Sequence, residues 1–142
     1  MRLDEIDFGY SKYNNRNEDI KRLKFKVKTK RGSKSFGIFV KDPAITDPKG
    51  IQPGFICVSV EHGAGTICNS HINNEWRGTG LGQMLYDKAI KESKRRGLIE
   101  LTSDSSLTPD AHKAWARLAK RYDVEEIKGR YVIYLGKKDE AV

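Results

Sequence analysis

Between Thr66 and Thr102 the chain changes its hydrophobic period twice, and few folds accommodate that order. Thr66 to Ile72 has the length and mixed polarity of a strand. From Gly82 to Arg96 the spacing becomes helical: Leu81, Met84, Leu85 and Ala89 recur at three and four, and Lys88, Lys91, Lys94 and Arg95 lie outside near the carboxyl end. Gly97 is a stop signal, and Leu98 to Thr102 is short enough for a second strand. A strand, a helix and a strand joined by tight links predict a right-handed parallel crossover.

The flanking sequence reads as hairpins. Leu23, Phe25 and Val27 alternate with Lys24, Lys26 and Lys28, the two-residue period of a half-buried strand. Lys30 to Ser33 turns the chain, and Phe36, Ile38 and Val40 return, with Gly37 leaving room for a bulge or a close backbone approach. Ile20, Leu23 and Val27 also fall at helical intervals, so a helix over Glu18 to Lys26 competes, although the alternation favours the strand. Phe55 to Val60 predicts a third strand that turns at His62 to Gly65 into Thr66 to Ile72. Thr108-Pro109-Asp110 reads as a helix cap with proline at the first helical position, opening a stripe of Ala111, Ala114, Trp115 and Leu118 that ends near Arg121. Asp123 to Ile127 and Arg130 to Leu135 predict a terminal hairpin. Leu3, Ile6 and Phe8 suggest a short first strand, and Lys137 to Glu140 a fraying tail. The expected class is α+β (mixed α/β): a mixed, mostly antiparallel central sheet flanked by helices, with a basic hairpin on its amino-terminal side.

The 142 residues fit one domain, 1–142, and the 37% hydrophobic content excludes wholesale disorder. Cys57 and Cys68 lack CxxC spacing, and His62, His71 and His112 lack close metal spacing, so neither a disulfide framework nor a metal is expected. No run reaches the roughly 18 apolar residues of a membrane span. A reducing, cytoplasmic setting is the expectation, with a monomer or homodimer.

The formal charge of +8 is local: eight of the 27 basic residues fall in Lys21–Lys34 without an acid, and the rest match the 19 acidic ones. Such a segment attracts a nucleic acid, an anionic cofactor or an acidic protein surface, or simply keeps a hairpin solvated. The sequence shows no interleaved exposed aromatics of the kind that stack bases.

Asn74-Glu75-Trp76-Arg77-Gly78-Thr79-Gly80-Leu81-Gly82 joins the strand to the central helix. Alternating glycines clear side chains from a curved backbone and present N–H groups at the positive helix end, a geometry that holds a diphosphate, with Arg77 as a donor fork at the rim. A nucleoside-triphosphate loop would end in Gly-Lys-Ser/Thr, whereas this one continues Gly82-Gln83-Met84. The dinucleotide fingerprint would need Gly-x-Gly-x-x-Gly and a position early in a parallel sheet.

Arg77-Gly78-Thr79-Gly80-Leu81-Gly82, preceded by Ile72-x-Asn74-Glu75-Trp76, resembles the Arg/Gln-x-x-Gly-x-Gly/Ala signature of the GNAT superfamily of CoA-dependent N-acyltransferases, and the likeness in element order runs from about Phe55 to Leu135. The resemblance implies acetyl-CoA as co-substrate and an acetyl transfer to an amine of a protein or small molecule. It assigns the CoA diphosphate to the backbone of Arg77, Gly78, Thr79, Gly80, Leu81, Gly82 and Gln83, and sets Ile72 beside the pantetheine arm. The alternative is a nucleic-acid-binding module that uses Lys21–Lys34, with or without CoA.

Direct attack on a thioester needs a base for the amine and a proton for the leaving thiolate. The positions where many relatives carry the base are Thr66 and Cys68 here, neither a convincing base, so Glu61, His71 and His62 are taken in that order. Strand parity predicts His71 on the face opposite Thr66, Cys68 and Ser70. Cys68 could also accept the acyl group as a nucleophile, although a buried small hydrophobe fits it better. Where the family commonly carries a tyrosine acid, this chain has Trp115, whose indole shapes the pocket but cannot replace a phenol. Ser103, Ser105, Ser106, His112 and Tyr122 remain for a water-mediated proton route. The family usually begins with one strand and two helices, where this chain reads as a basic hairpin.

Overall fold

Alternation in the first half of the chain and helical spacing in the second are borne out in a computed structural model that describes residues 19–104 and 106–136. The expected first strand at Leu3–Phe8, Ser105 and the tail from Lys137 lie outside the described residues. Seven strands, β1 (Lys24–Thr29), β2 (Phe36–Lys41), β3 (Gly54–Glu61), β4 (Ala64–Ile72), β5 (Glu100–Thr102), β6 (Val124–Ile127) and β7 (Arg130–Tyr134), form one sheet ordered β1-β2-β3-β4-β5-β7-β6. Every neighbouring pair is antiparallel except β4 and β5, which are joined through helix α1 (Leu81–Arg95) as the crossover requires. Helix α2 (Pro109–Leu118) follows β5, and the Thr108 hydroxyl caps it by accepting the Ala111 N–H at 3.1 Å.

The competing helix over Glu18 to Lys26 shrinks to a single 3-10 turn at Ile20–Arg22 before β1 begins. Arg22 then forks onto buried Asp42 at 2.7 and 2.9 Å, tying that turn to the end of β2. The predicted strand from Leu98 starts only at Glu100, because Leu98 is buried in the link and its N–H goes to Ser93 rather than into a ladder. At this same carboxyl end of α1, Arg96 reaches the β1–β2 hairpin: its guanidinium donates to Thr29 Oγ1 at 2.8 Å and to the Lys34 carbonyl at 3.1 Å, and lies over Phe36.

One face of the sheet carries the core. Leu81, Leu85, Ala89 and Ile90 of α1 bury against Ile38, Val40, Ile56, Val58 and Ile67. The second helix packs beside the first on this same face, where Trp115 lies parallel to Tyr131 with ring centroids 5.5 Å apart and meets Tyr86 edge-on at 5.7 Å. The opposite face presents Lys24, Lys26 and Lys28 of β1, Phe39 of β2, and Phe55 and Cys57 of β3, and no helix among the described residues covers it. At the sheet edge Val27 alternates inward but stays 42% exposed.

The register of β3 on β4 breaks at one point. Cys57 faces Asn69 and Val58 faces Ile67, so Cys68 is the extra residue of a β-bulge. The bulge reverses the predicted parity. Thr66, Asn69 and His71 share the uncovered face with Ser59, Cys57 and Phe55, whereas Ser70 turns to the side of Ile56. Cys68 is exposed rather than a buried small hydrophobe, because a bulged residue has no cross-strand partner to pack on, and its thiol sits 3.7 Å from the Cys57 carbonyl.

Candidate active site

The chain leaves β4 at Ile72, makes one 3-10 turn at Asn74–Trp76, and enters α1 through the glycine run. Asn73 caps the short turn and Trp76, only 3% exposed, anchors it in the core. Gly78 and Gly80 hold φ of 78° and 90°, a left-handed backbone that a side chain would strain. Thr79 fixes the bend between them: its hydroxyl donates to the Trp76 carbonyl at 2.6 Å and accepts the Leu81 N–H at 3.3 Å.

The first main-chain bond of α1 runs from the Met84 N–H to the Gly80 carbonyl. The N–H groups of Gly82 and Gln83 precede it and face out of the helix end, where the dipole is positive. A Cβ added at Gly80 would meet nothing within 4 Å, so the space before these amides is open, and one added at Gly82 would meet only Ile72 at 3.8 Å. A diphosphate fits that opening. Arg77 stands at its rim, 56% exposed, and among the described residues its ion-pair partner is the still more exposed Asp110 at 3.5 Å. The Gln83 side chain is otherwise engaged, donating to the Ala114 carbonyl at 3.3 Å and accepting from Arg121 at 3.0 Å, so only its backbone is turned to the opening.

The second element of the site is a parting of strands. β4 pairs with β5 only through Ala64, Gly65 and Thr66, yet continues to Ile72. Among the described residues its edge toward β5 has no strand partner beyond Thr66, so the two strands part and leave a slot from the sheet centre to the glycine loop. Tyr86, Trp115 and Tyr131 stand on the helical side of this slot. Burial pushes the Tyr86 phenol up, against the weaker pull of hydrogen bonding from Ser70 and Trp115. The Tyr131 hydroxyl lies 3.0 Å from His112 Nδ1. The indole at 115 thus has a phenol stacked on it, which sequence reasoning missed: only the β5–β7 register and the Ser103–Tyr131 hydrogen bonds bring residue 131 there.

The three groups chosen as bases are not brought together. Glu61 ends β3, and His62, with φ of 53°, forms with Gly63 the turn into β4. Since β4 runs nine residues from that turn to Ile72, the tip and the glycine loop lie about 25 Å apart at the ~3.3 Å rise of a strand. His71 is one residue from Ile72, on the uncovered face and 6.2 Å from the Phe55 ring centroid. Among the described residues no cluster of His, Cys, Asp or Glu could hold a metal ion, and no helix is long and apolar enough to cross a membrane.

A family model described as Acetyltransferase (GNAT) family matches residues 21–119. The chain belongs to this family of acetyltransferases. The match begins at Lys21, ahead of β1, so the whole basic hairpin is part of the family domain. Similar solved structures include an IAA acetyltransferase from Bacillus cereus ATCC 14579, at 12% identity and a TM-score of 0.57 over 80% of this chain and 99% of that one. A GNAT-family acetyltransferase from Staphylococcus aureus MU50 aligns at 13% identity and a TM-score of 0.56, over 92% of this chain and 87% of that one. A PaiA N-acetyltransferase from Thermoplasma acidophilum, in complex with coenzyme A, aligns at 14% identity and a TM-score of 0.51 over 71% and 60%. At these identities the likeness is one of fold. No curated protein matches the chain.

Proposed function

We propose that this protein moves an acetyl group from acetyl-CoA to an amine of a protein or small molecule by direct attack. The observation that carries the reading is the left-handed glycine cap of α1 opening onto the unpaired edge of β4, since together they offer a diphosphate site and a slot leading to the sheet centre. Acetyl-CoA, when bound, supplies the activated thioester carbonyl. The backbone of Gly78, Gly80, Gly82 and Gln83 would hold its diphosphate, with Arg77 closing on the outer oxygens and Thr79 and Leu81 keeping the bend rigid. Ile72 would pack against the pantetheine arm, and Trp115, 1% exposed, would set the wall behind it through Tyr86 and Tyr131.

The attacking amine has to be neutral and the thiolate has to be protonated. His71 leads as base, because it alone of the three candidates lies on the part of β4 that borders the slot. Glu61 and His62 would serve only an acceptor that extends along the sheet to the β3–β4 tip. Tyr131, hydrogen-bonded to His112, is proposed to hold the proton for the leaving thiolate. The test is to incubate the protein with labelled acetyl-CoA and separate pools of cell proteins and small amines, and to locate label by mass. Label on an amine with release of free CoA is expected. Absence of transfer to every pool, together with no acetyl-CoA binding at high micromolar ligand, would overturn the reading.

A further inference from the structure

The sheet face that no described helix covers carries a pattern of which the acetyl-transfer reading uses only His71. One cross-strand row runs Lys26, Phe39, Phe55, His71 over β1 to β4, each residue directly opposite the next. The ring centroids of Phe39 and Phe55 are 6.0 Å apart and those of Phe55 and His71 6.2 Å. Phe39 leans over Gly37, whose added Cβ would come within 2.8 Å of the ring, and Lys28 Nζ stands 5.1 Å from the Phe39 centroid. A shallow depression of about 300 Å³, lined in part by Lys28, Lys30, Ser35, Phe39 and Cys57, adjoins this row.

Charge on this face is one-sided. Lys24, Lys26, Lys28 and Lys41 are all exposed. Lys24 sits directly opposite Lys41, a like-charge pair that destabilises a ladder unless an anion lies between or above it. Among the described residues of β1 to β4, Glu61 at the far tip is the one acid on this side.

We infer that the face formed by β1 to β4 is a binding surface for a single-stranded polynucleotide, whose bases stack on Phe39, Phe55 and His71 while Lys24, Lys26, Lys28 and Lys41 take its phosphates. An acidic protein would satisfy the lysines but has no use for a row of rings. A duplex would satisfy them too, but its bases are already stacked at ~3.4 Å along each strand and cannot reach the rings. Spacings near 6 Å suit bases splayed from an extended strand, the arrangement by which open sheets with aromatic rows bind single strands. Sequence reasoning missed the platform because its three rings come from three strands and meet only through the register.

The experiment is fluorescence anisotropy with end-labelled oligo(dT), oligo(rU) and a duplex, each of roughly 12 units, at low and moderate salt and without acetyl-CoA, so that failure here leaves the acetyl-transfer reading untouched. Single strands should bind more tightly than the duplex, and the two labelled strands report whether DNA or RNA is preferred. Phe39→Leu with Phe55→Leu, which keeps apolar bulk, should weaken single-strand binding about tenfold. Lys24→Gln with Lys26→Gln, both exposed and safe for folding, should weaken it and flatten the salt slope by about one per lysine removed. Lys91→Gln with Lys120→Gln, away from this face, should change affinity less than about twofold. No single-strand binding at low salt, a duplex bound as tightly, or an equal loss in the Lys91/Lys120 control, each in protein shown folded by its melting curve, would overturn the proposal.

Discussion

Gly80→Ala separates the conformational role of the loop from its proposed role in holding a diphosphate. Gly80 has φ of 90° at the cap of α1, and a Cβ there touches nothing within 4 Å, so the substitution removes no packing and creates no internal clash. Its folding cost is the left-handed strain of an L-residue, about 1–2 kcal/mol, which lowers the melting temperature by about 3–7 °C in a chain this size. The added methyl, however, stands in the open space before the Gly82 and Gln83 amides. Displacing an anion from one such charge-assisted hydrogen bond costs about 1.5–3 kcal/mol, so acetyl-CoA affinity should fall about ten- to a hundredfold. Gly97→Ala is the matched control, because Gly97 has φ of 80°, equally open surroundings, and lies at the other end of α1. Differential scanning calorimetry should show similar losses for both variants, and titration calorimetry a loss of affinity for Gly80→Ala alone. Unchanged affinity in folded Gly80→Ala, or an equal loss in Gly97→Ala, would refute the assignment of the loop.

Three further outcomes follow from the packing and the charges. His71→Gln should lower acetyl transfer at least tenfold with acetyl-CoA affinity retained, and Glu61→Gln should leave it within about twofold; the reverse order in a pH–rate series would move the base to the strand tip. Trp115→Ala should destabilise by about 3–5 kcal/mol, because it removes a ring buried between Tyr86 and Tyr131, while Trp115→Tyr should cost clearly less in a denaturant titration. The hydrogen bond from Arg95, aided by Arg96 and opposed by burial, holds the Glu92 carboxyl below the usual carboxylate range. Stability from that group is therefore complete above pH ~4.3 and is lost as pH falls through the lowered value, so Glu92→Gln should show a shallower acid limb of melting temperature against pH than the parent.

Much of the architecture was legible because the physics that sets it is local. The lysine alternation through Lys24 to Lys28, the cap at Thr108-Pro109 and the stripe of α1 each specify an element from their own residues. What lay beyond reading depends on contacts distant in sequence. The bulge at Cys68 has no local signature, yet it decides that His71 shares a face with Thr66 and that Ser70 does not. Glu61 lies sixteen residues before Arg77 in the chain but at the opposite end of the sheet, since β4 carries the chain away from the tip before the loop begins. Tyr131 joined the site only when β7 paired with β5.

The central claim is that acetyl-CoA lies along the open edge of β4 with its diphosphate on the glycine cap of α1. Amide chemical shifts recorded during an acetyl-CoA titration test it most directly, because each glycine N–H reports its own hydrogen bond. The account predicts large, saturable shifts at Gly78, Gly80, Gly82 and Gln83, smaller ones from Cys68 to Ile72, and none at Glu61, His62 or Gly63. Saturable shifts centred on the β3–β4 tip, with the glycine amides unmoved, would contradict it.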